Sequence, residues 1–304
     1  MPQPPARVVA VVGPTAAGKT AMSLDLAEAL GGEVVNTDAF CLYRGMDIGT
    51  AKVPPAERRG IAHHLVDVLD VDEPLSVAQF QVWARAAVED CLARGVSPVL
   101  VGGSALYTRA VLDPFDFPGT DPGVRARLES ELEEAGVAAL YARLTRVDPA
   151  AAEHIEPGNG RRIVRALEVV EITGRPFEAA LPPRAYVYSG AVQVGLTIPR
   201  PQLDERIAGR VSAMWGAGLV DEVRRLEEPL RRGRTAQRAI GYQQVLAFLA
   251  GQCTQPVART ETARATRRFA RRQDSWYRKD ERIRWVAWDD PRRLDIALAI
   301  LNGG

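Results

Sequence analysis

The chain has 304 residues, of which 46% are hydrophobic and 25% charged, and its formal net charge is +1. These values are typical of a globular protein with a large core. The longest apolar run is far shorter than a membrane span, and the amino-terminal Met-Pro-Gln-Pro-Pro lacks the apolar centre of a signal peptide. Three widely spaced cysteines fit neither a disulfide framework nor a zinc site. We therefore expect a cytoplasmic protein with no membrane association.

The first recognisable unit is a strand, a glycine-bounded loop and a helix. Val8 to Val12 is an apolar, β-branched run typical of a buried strand, and a helical pattern follows until Gly31. The sequence between them matches the phosphate-binding pattern G-x-x-x-x-G-K-[ST]. Its backbone N–H groups can surround a chain of phosphates, Lys19 supplies a positive charge, and the Thr20 hydroxyl can hold Mg²⁺. The predicted diphosphate-binding loop consists of Gly13, Pro14, Thr15, Ala16, Ala17, Gly18, Lys19 and Thr20.

A second strand is predicted at 33–36, and Asp38 follows it. Ligands of open parallel sheets bind beyond the carboxyl ends of the strands, so Asp38 is placed where a reacting group could meet the bound phosphates. The spacing equally allows Asp38 to cap the next turn. Residues 43–52 contain two glycines and are expected to form a substrate loop. Adjacent His63 and His64 do not share a face of a strand or helix, which favours a structural or substrate-orienting role over a metal site.

The third unit of the core is a helix followed by a strand. Ser76 is the expected cap of a helix that ends at Gly95, and Pro98 to Val101 forms the next buried strand. That strand runs directly into a second glycine loop, 102–107, which is expected to face the same ligand site. The fold predicted is α/β, with a P-loop-type parallel sheet core, flanking helices and an inserted all-helical subdomain. The core comprises 1–119 and 187–304, and the helical insertion comprises 120–186, where no strand pattern appears.

Helical patterns continue from residue 199 to the carboxyl terminus after a strand at 192–198. In 259–284 there are ten Arg or Lys against four Asp or Glu, a net of +6. Several of these arginines follow the spacing of one helix face, while Phe269 and Trp276 are expected to anchor that helix to the core. A charged helix face is usually only solvated, but a face of one sign favours contact with a polyanion. The predicted RNA-contacting arginines of this face are Arg264, Arg268 and Arg271.

The phosphate loop alone would predict an ATP-binding, nucleotide-binding protein. However, no apolar strand ends in a plain metal-binding aspartate, and the guanine-reading Asn-Lys-x-Asp sequence is missing. These absences favour a loop that holds a diphosphate without the usual hydrolysis residues. An ATP-dependent small-molecule or nucleotide kinase remains the alternative, and a non-catalytic RNA-binding ATPase is a third hypothesis.

The order of these motifs resembles that of the bacterial tRNA dimethylallyltransferases (tRNA isopentenyltransferases) over nearly the whole chain. Besides the phosphate loop, the resemblance rests on Asp38, the loop 43–52, the second glycine loop, and the segments 162–168, 239–242 and 271–273 with Trp276. Phosphate loops occur in many families, but this series in this order is highly specific. Five positions depart from the usual family pattern. Ala39, Cys41 and Gln243 stand where Ser, Gln and a basic residue are common, and Ser104 and Ala105 replace Thr and Gly.

The resemblance implies transfer of a dimethylallyl group from dimethylallyl diphosphate to N6 of adenosine 37 in tRNA, with Mg²⁺ as cofactor and pyrophosphate as product. It also implies that the helical insertion grips the anticodon stem-loop, and we expect a monomer. By the resemblance, Asp38 matches the general base, with Lys19 and Thr20 as further catalytic residues. Arg206 and Arg210 are further candidates for binding the diphosphate. The positions that match tRNA contacts are Asp38, Ala39, Phe40, Cys41, Ser104, Arg125, Arg161, Arg162, Ile163, Val164 and Arg165.

Overall fold

The computed structural model describes residues 5–178 and 181–303 and divides into two compact units. One unit comprises Met1–Leu112 with Tyr186–Gly304, and the other comprises Asp113–Ala185. The second unit begins earlier than the predicted insertion of 120–186, and the role predicted for it stays a prediction. Among the described residues, no helix is long and apolar enough to cross a bilayer.

The first unit is built on one sheet of six parallel strands in the order β3-β2-β4-β1-β5-β6. The strands are β1 Val9–Val12, β2 Glu33–Asn36, β3 His63–His64, β4 Pro98–Val101, β5 Val192–Thr197 and β6 Ile283–Ala287. The prediction that helices alone follow β5 is therefore wrong, because β6 pairs with β5 at the sheet edge. Two of the β6 side chains, Arg284 and Ala287, are exposed, so its sequence lacks the continuous apolar run of the central strands.

The helices of the described residues comprise eight in the first unit and three in the second. In the first unit they are α1 Lys19–Leu30, α2 Val77–Ala93, α3 Ala105–Leu112, α7 Arg200–Gly216, α8 Leu219–Arg232, α9 Tyr242–Leu249, α10 Gln255–Tyr277 and α11 Arg293–Asn302. In the second unit they are α4 Pro122–Val147, α5 Pro149–His154 and α6 Gly160–Thr173. Two short 3₁₀ helices, Pro55–Glu57 and Ala236–Arg238, complete the secondary structure of these residues.

Alternation along the strands places a core on each face of the sheet. Val9 and Val11 pack with apolar residues of α1 and α11, whereas Ala10 and Val12 pack with residues of α2, α8 and α9. This is the pattern expected of a strand buried on both faces, since successive side chains point to opposite sides. The result is the predicted α/β core with helices on both faces of a parallel sheet.

The second unit has a hydrophobic core of its own. α4 contains a break at Gly136, where φ is 80°, so the predicted helix over 124–136 corresponds to its first segment. The two segments of α4 pack with α5 and α6 around Leu128, Leu144, Ile163 and Leu167. No strand interrupts the described residues of this unit, in agreement with the helical pattern.

Candidate active site

The carboxyl ends of three neighbouring strands bring the predicted functional segments together. β4 lies between β1 and β2, with Val101 in register with Val11 and with Asn36. The phosphate loop after β1, Asp38 after β2 and the second glycine loop after β4 therefore leave the sheet at one edge. This arrangement is the one expected of an open parallel sheet that binds a ligand beyond its strand ends.

The phosphate loop curls at the amino terminus of α1. Gly18 occupies the cap position with φ of 93°, a left-handed conformation that favours glycine. The Ala17 N–H donates to the Pro14 carbonyl at 3.3 Å, which tightens the turn. The loop and the helix amino terminus border a cavity of about 340 Å³, a setting suited to an anion. Its lining residues are Ala16, Gly18, Lys19, Thr20, Arg206, Gly209 and Arg210.

Lys19 supplies the charge at the base of this cavity. Its side chain is buried, and Nζ donates to the Pro14 carbonyl at 2.9 Å. Burial, together with the charge of Arg210, lowers the pKa of Lys19 from 10.5 to about 7, although Asp38 opposes the change. Burial also lowers the pKa of Arg210, against the opposing charge of Asp38. Lys19, Arg210 and Asp38 therefore interact electrostatically within one site.

Both predicted arginines of α7 reach the cavity. Arg206 donates from Nε to the carbonyl of Ala16 at 2.7 Å, and its guanidinium lies 4.3 Å from the centre of the Trp288 ring. Ala16 has φ of 66°, which is uncommon for a residue with a Cβ, so the contact from Arg206 braces a strained part of the loop. Arg210 donates to the carbonyl of Thr50 at 3.4 Å. The diphosphate site predicted from sequence is therefore lined by all the cations assigned to it.

Asp38 caps the turn that follows β2, which is one of the two roles that its sequence position allowed. Its Oδ1 accepts the N–H of Phe40 at 3.0 Å, and its own N–H donates to Oδ1 of Asn36 at 2.9 Å. The next positions predicted to contact tRNA, Ala39, Phe40 and Cys41, are partly buried. Burial raises the pKa of the Cys41 thiol, so it stays protonated near neutral pH. The turn places Asp38 close enough to interact electrostatically with Lys19 and Arg210, and its catalytic role stays a prediction.

The second glycine loop, beginning at Gly102, is joined to the phosphate loop by a buried side chain. Ser104 precedes α3 and accepts the N–H of Tyr107 at 3.4 Å, so its hydroxyl serves the helix terminus. One residue earlier, the carbonyl of Gly103 accepts a hydrogen bond of 2.6 Å from Nε2 of Gln273 on α10. No role in the site was predicted for Gln273 from its sequence position.

The predicted substrate loop 43–52 is largely a structural element. Tyr43 and Met46 are fully buried, and Lys52 donates from Nζ to the Tyr43 carbonyl at 2.8 Å. The buried carboxylate of Glu222 accepts three successive N–H groups of this loop, at 3.1, 2.8 and 3.3 Å. These contacts fix the glycine-containing segment that the sequence predicted to be a substrate loop.

His63 and His64 form edge strand β3, and the His64 side chain reaches Glu33, at the opposite end of β2 from Asp38. His64 Nε2 is 2.6 Å from Oε2 of Glu33, and Cys91 Sγ is 3.5 Å from the same oxygen. Their donor atoms are close enough to hold a cation, but Arg94 already donates to both oxygens of Glu33 at 2.8 and 2.7 Å. The guanidinium neutralises the carboxylate, so the cluster is a self-contained ion pair.

In the second unit, two of the predicted tRNA-contacting arginines, Arg125 and Arg165, form ion pairs with the buried carboxylate of Glu168. Glu168 is fully buried and accepts hydrogen bonds from Arg125 and Arg165. Burial would raise the pKa of Glu168, but the two guanidinium groups outweigh it and leave the pKa below its usual value. Arg125 and Arg165 are thereby oriented, and part of each remains accessible, with 34% and 21% of the side chain exposed.

The segment 161–165 divides between surface and core. Arg161 and Arg162 are exposed at the amino terminus of α6, whereas Ile163 and Val164 are 0% and 2% exposed within the hydrophobic core of this unit. The prediction that Ile163 and Val164 contact tRNA stays a prediction for their backbone atoms, because their side chains are buried. Apolar side chains facing the other helices cannot also present a surface to RNA.

The predicted arginine face of α10 is present at the surface. Arg264, Arg268 and Arg271 are exposed, and the Arg264 side chain, 67% exposed, pairs with Glu261 at 3.3 Å. Helical spacing aligns these residues, since they follow one another at intervals of four and three. The surface formed by these three arginines is called the arginine face below.

The predicted anchoring role of Trp276 is wrong, because its side chain is 39% exposed. The buried positions of the helix include Ala270, Gln273 and Tyr277, which follow i, i+3, i+7 spacing. Trp276 falls outside that line, and Phe269 is only partly buried. The sequence predicted that aromatic side chains anchor this helix to the core, but the polar residue Gln273 lies on its buried face.

Comparison with known proteins places these features in a family. A family model described as IPP transferase matches residues 41–280. Curated tRNA dimethylallyltransferases from a Nocardioides species and from Streptomyces coelicolor are 61% and 63% identical, covering 97% and 98% of this chain and 95% and 96% of theirs. The chain belongs to the tRNA dimethylallyltransferase family.

A solved structure of another member supports the same assignment. The full-length tRNA isopentenylpyrophosphate transferase of Bacillus halodurans is 38% identical, with a TM-score of 0.72, covering 98% of this chain and 97% of that one. The resemblance and the P-loop-type fold predicted from sequence are thus confirmed. As a tRNA dimethylallyltransferase family member, the chain combines its phosphate loop with the arginine face in a single unit.

Three residues that serve the site were missed from sequence. Glu222 fixes the loop 43–52, Gln273 joins the two glycine loops, and Trp288 stacks on Arg206. Each lies far along the chain from its partner. For Gln273 the available signal was its place in the segment 271–273, which contributes to the family resemblance.

Proposed function

We propose that this protein transfers a dimethylallyl group from dimethylallyl diphosphate to N6 of adenosine 37 in tRNA and releases pyrophosphate. The observation that carries the proposal is the cavity in which Lys19, Arg206 and Arg210 meet the phosphate loop, at the strand edge that also bears Asp38. Relatives covering nearly the whole chain carry the name tRNA dimethylallyltransferase, which disfavours the kinase alternative.

The reaction requires a base beside the attacking amine and an anion-binding site around the departing diphosphate. An adenine amine is a weak nucleophile because its lone pair is delocalised, so removal of its proton assists attack on the allylic carbon. Asp38 accepts that proton. As the bond to the diphosphate breaks, negative charge grows on the leaving group, where Lys19, Arg206, Arg210 and the loop N–H groups stabilise it.

Mg²⁺ is proposed as the cofactor of this step. The cavity lining offers one exposed hydroxyl, that of Thr20, beside cationic side chains. That hydroxyl can supply one oxygen ligand to Mg²⁺, which is usually held by few protein ligands together with phosphate oxygens, and the oxygens of the diphosphate would supply others. When bound, Mg²⁺ would offset charge on the leaving diphosphate.

Recognition of tRNA is proposed to use both units. The arginine face supplies cations for the phosphate backbone, and Arg161, Arg162 and the helical unit contact the anticodon stem-loop. Adenosine 37 must leave its stack to reach Asp38, a movement that other base-modifying enzymes also require. We further propose that the protein acts as a monomer in the cytoplasm, and light scattering of the protein with and without tRNA would test the monomeric state.

The deciding experiment is nucleoside mass spectrometry after incubation with unmodified tRNA and dimethylallyl diphosphate. The expected result is adenosine carrying one dimethylallyl group, formed without ATP. A transcript with guanosine at position 37 is the matched control and should stay unmodified. In a parallel incubation with added ATP, ATP consumption in place of prenyl transfer would refute the proposal and support the kinase.

A further inference from the structure

Gln273 lies on the buried face of α10 and is 4% exposed. Its neighbours Arg271 and Arg272 are exposed, so the helix presents cations to solvent and one carboxamide to the interior. Burying a carboxamide is unfavourable unless its polar atoms find partners. Both partners of Gln273 belong to the loops of the candidate active site.

The carboxamide bridges these loops through both of its polar atoms. Oε1 accepts the backbone N–H of Thr15 in the phosphate loop at 2.8 Å, and Nε2 donates to the carbonyl of Gly103 at 2.6 Å. A backbone N–H can only donate and a carbonyl oxygen can only accept, so the partners themselves fix the orientation of the amide. The two loops are 88 residues apart in sequence, and one side chain links them.

The second loop meets this side chain at a glycine. A Cβ added to Gly103 would collide with Nε2 of Gln273, and the same point is 3.7 Å from Oδ2 of Asp38. The absence of a side chain at residue 103 therefore lets the carboxamide reach the backbone beside Asp38. The phosphate loop and the glycine loop thus share one buried amide, and Asp38 lies beside the Gly103 end of that bridge.

We propose that Gln273 is a positioning residue for prenyl transfer, which fixes the phosphate loop relative to the glycine loop that flanks Asp38. The inference rests on the proposed function, because it assigns the leaving group to the first loop and the base to the neighbourhood of the second. Both must be placed accurately for the amine to attack the allylic carbon. A displacement of about 1 Å in such a geometry can slow a reaction roughly 10²-fold while leaving binding nearly intact.

Two substitutions separate the two hydrogen bonds. Gln273→Met has similar length and removes both, while Gln273→Glu keeps an acceptor for Thr15 and, in its ionised form, removes the donor to Gly103. Gln193→Met is the matched control, since Gln193 is also buried in this unit and bonds Tyr186 and Asp280 away from the loops. Thermal unfolding of all three variants measures the general cost of replacing a buried glutamine.

The test compares single-turnover transfer rates at saturating tRNA and dimethylallyl diphosphate with the dissociation constant for pyrophosphate. For Gln273→Met we expect a rate about 10- to 100-fold lower and a dissociation constant changed only a few-fold. Amide hydrogen exchange of Thr15 should accelerate in Gln273→Met and stay slow in Gln273→Glu. Gln193→Met should transfer at nearly the wild-type rate.

Two results would overturn the inference. One is a wild-type rate for Gln273→Met, and the other is an equal loss of rate in Gln193→Met, which would make the effect one of stability alone. If Gln273→Met does not fold, Gln273→Glu decides, because an unchanged rate without the Gly103 bond removes the bridge from catalysis. Failure of the wild-type chain to modify tRNA is a separate result, and it refutes the proposed function together with this inference.

Discussion

Lys19 should make diphosphate binding depend on pH. In the free protein, burial and the charge of Arg210 hold its pKa at about 7, well below 10.5. A bound anion stabilises the ammonium form and raises the pKa again. Binding above about pH 7 should therefore take up a proton at Lys19.

The sign and size follow from proton linkage. Below about pH 7, Lys19 is charged in both the free and the bound protein, so this group adds no pH dependence. Between the free pKa and the higher bound pKa, each binding event takes up one proton, and affinity falls by up to tenfold per pH unit. A rise of about one pH unit near pH 8.5 should therefore weaken pyrophosphate binding by close to tenfold, because Lys19 of the free protein must first take up a proton.

Calorimetric titration with pyrophosphate measures this uptake directly. Titrations in two buffers of different ionisation enthalpy give the number of protons taken up on binding. Protonation of pyrophosphate itself contributes the same number for every variant. Lys19→Arg is the control because its charge is permanent. Equal proton uptake by the wild type and Lys19→Arg at about pH 8.5 would refute the assignment of the titration to Lys19.

Three further predictions follow from the site and its supports. Replacing Arg264, Arg268 and Arg271 with Ala should weaken tRNA binding in filter-binding assays and flatten its salt dependence by roughly 0.7–0.9 log unit for each phosphate that is no longer neutralised. Glu222→Gln should lower the free energy of unfolding by about 2–4 kcal/mol in urea titrations, because a buried acceptor of four hydrogen bonds loses its charge. Asp38→Asn should slow single-turnover transfer by about 10²–10⁴-fold while both substrates still bind.

Matched controls make these outcomes interpretable. Arg224, Arg231 and Arg232 on α8 are exposed and paired with acids, so their replacement by Ala should leave the salt slope unchanged. An equal change in both triple variants would assign the effect to net charge. Glu227→Gln on the same helix removes a partly exposed carboxylate and should cost well below about 1 kcal/mol. If Glu222→Gln costs no more, its hydrogen bonds to the loop contribute little.

The local sequence pattern correctly predicted those parts of the fold and site that depend only on residues close together in the chain. The phosphate loop lies between Val12 and Lys19 as the strand–loop–helix pattern indicated, and Ser76 caps α2 as its spacing indicated. The meeting of Asp38 with both glycine loops was also predictable, because parallel strands end at a common edge. Such inferences need only periodicity and one topological rule.

Contacts between distant residues could not be predicted in the same way. Glu222 lies 174 residues from Ile48, and Gln273 lies 258 residues from Thr15. Periodicity specifies which face of a helix is buried but not which backbone group that face meets. Trp276 shows that the choice of buried residue on a helix can also be mispredicted, since this large aromatic residue was expected to be buried and the adjacent Tyr277 is buried instead.

Asp38 shows how a structural and a catalytic role can coexist in one side chain. A carboxylate has two oxygens, and the cap uses Oδ1, which accepts the Phe40 N–H. Oδ2 lies toward Gly103, on the side of the loop that Gln273 holds. An Asn in this place can keep an acceptor oxygen on Phe40, but its other atom is an amide nitrogen, which cannot take a proton from an amine. Retained stability without transfer is therefore the expected signature of Asp38→Asn, because the cap and the base depend on different oxygens.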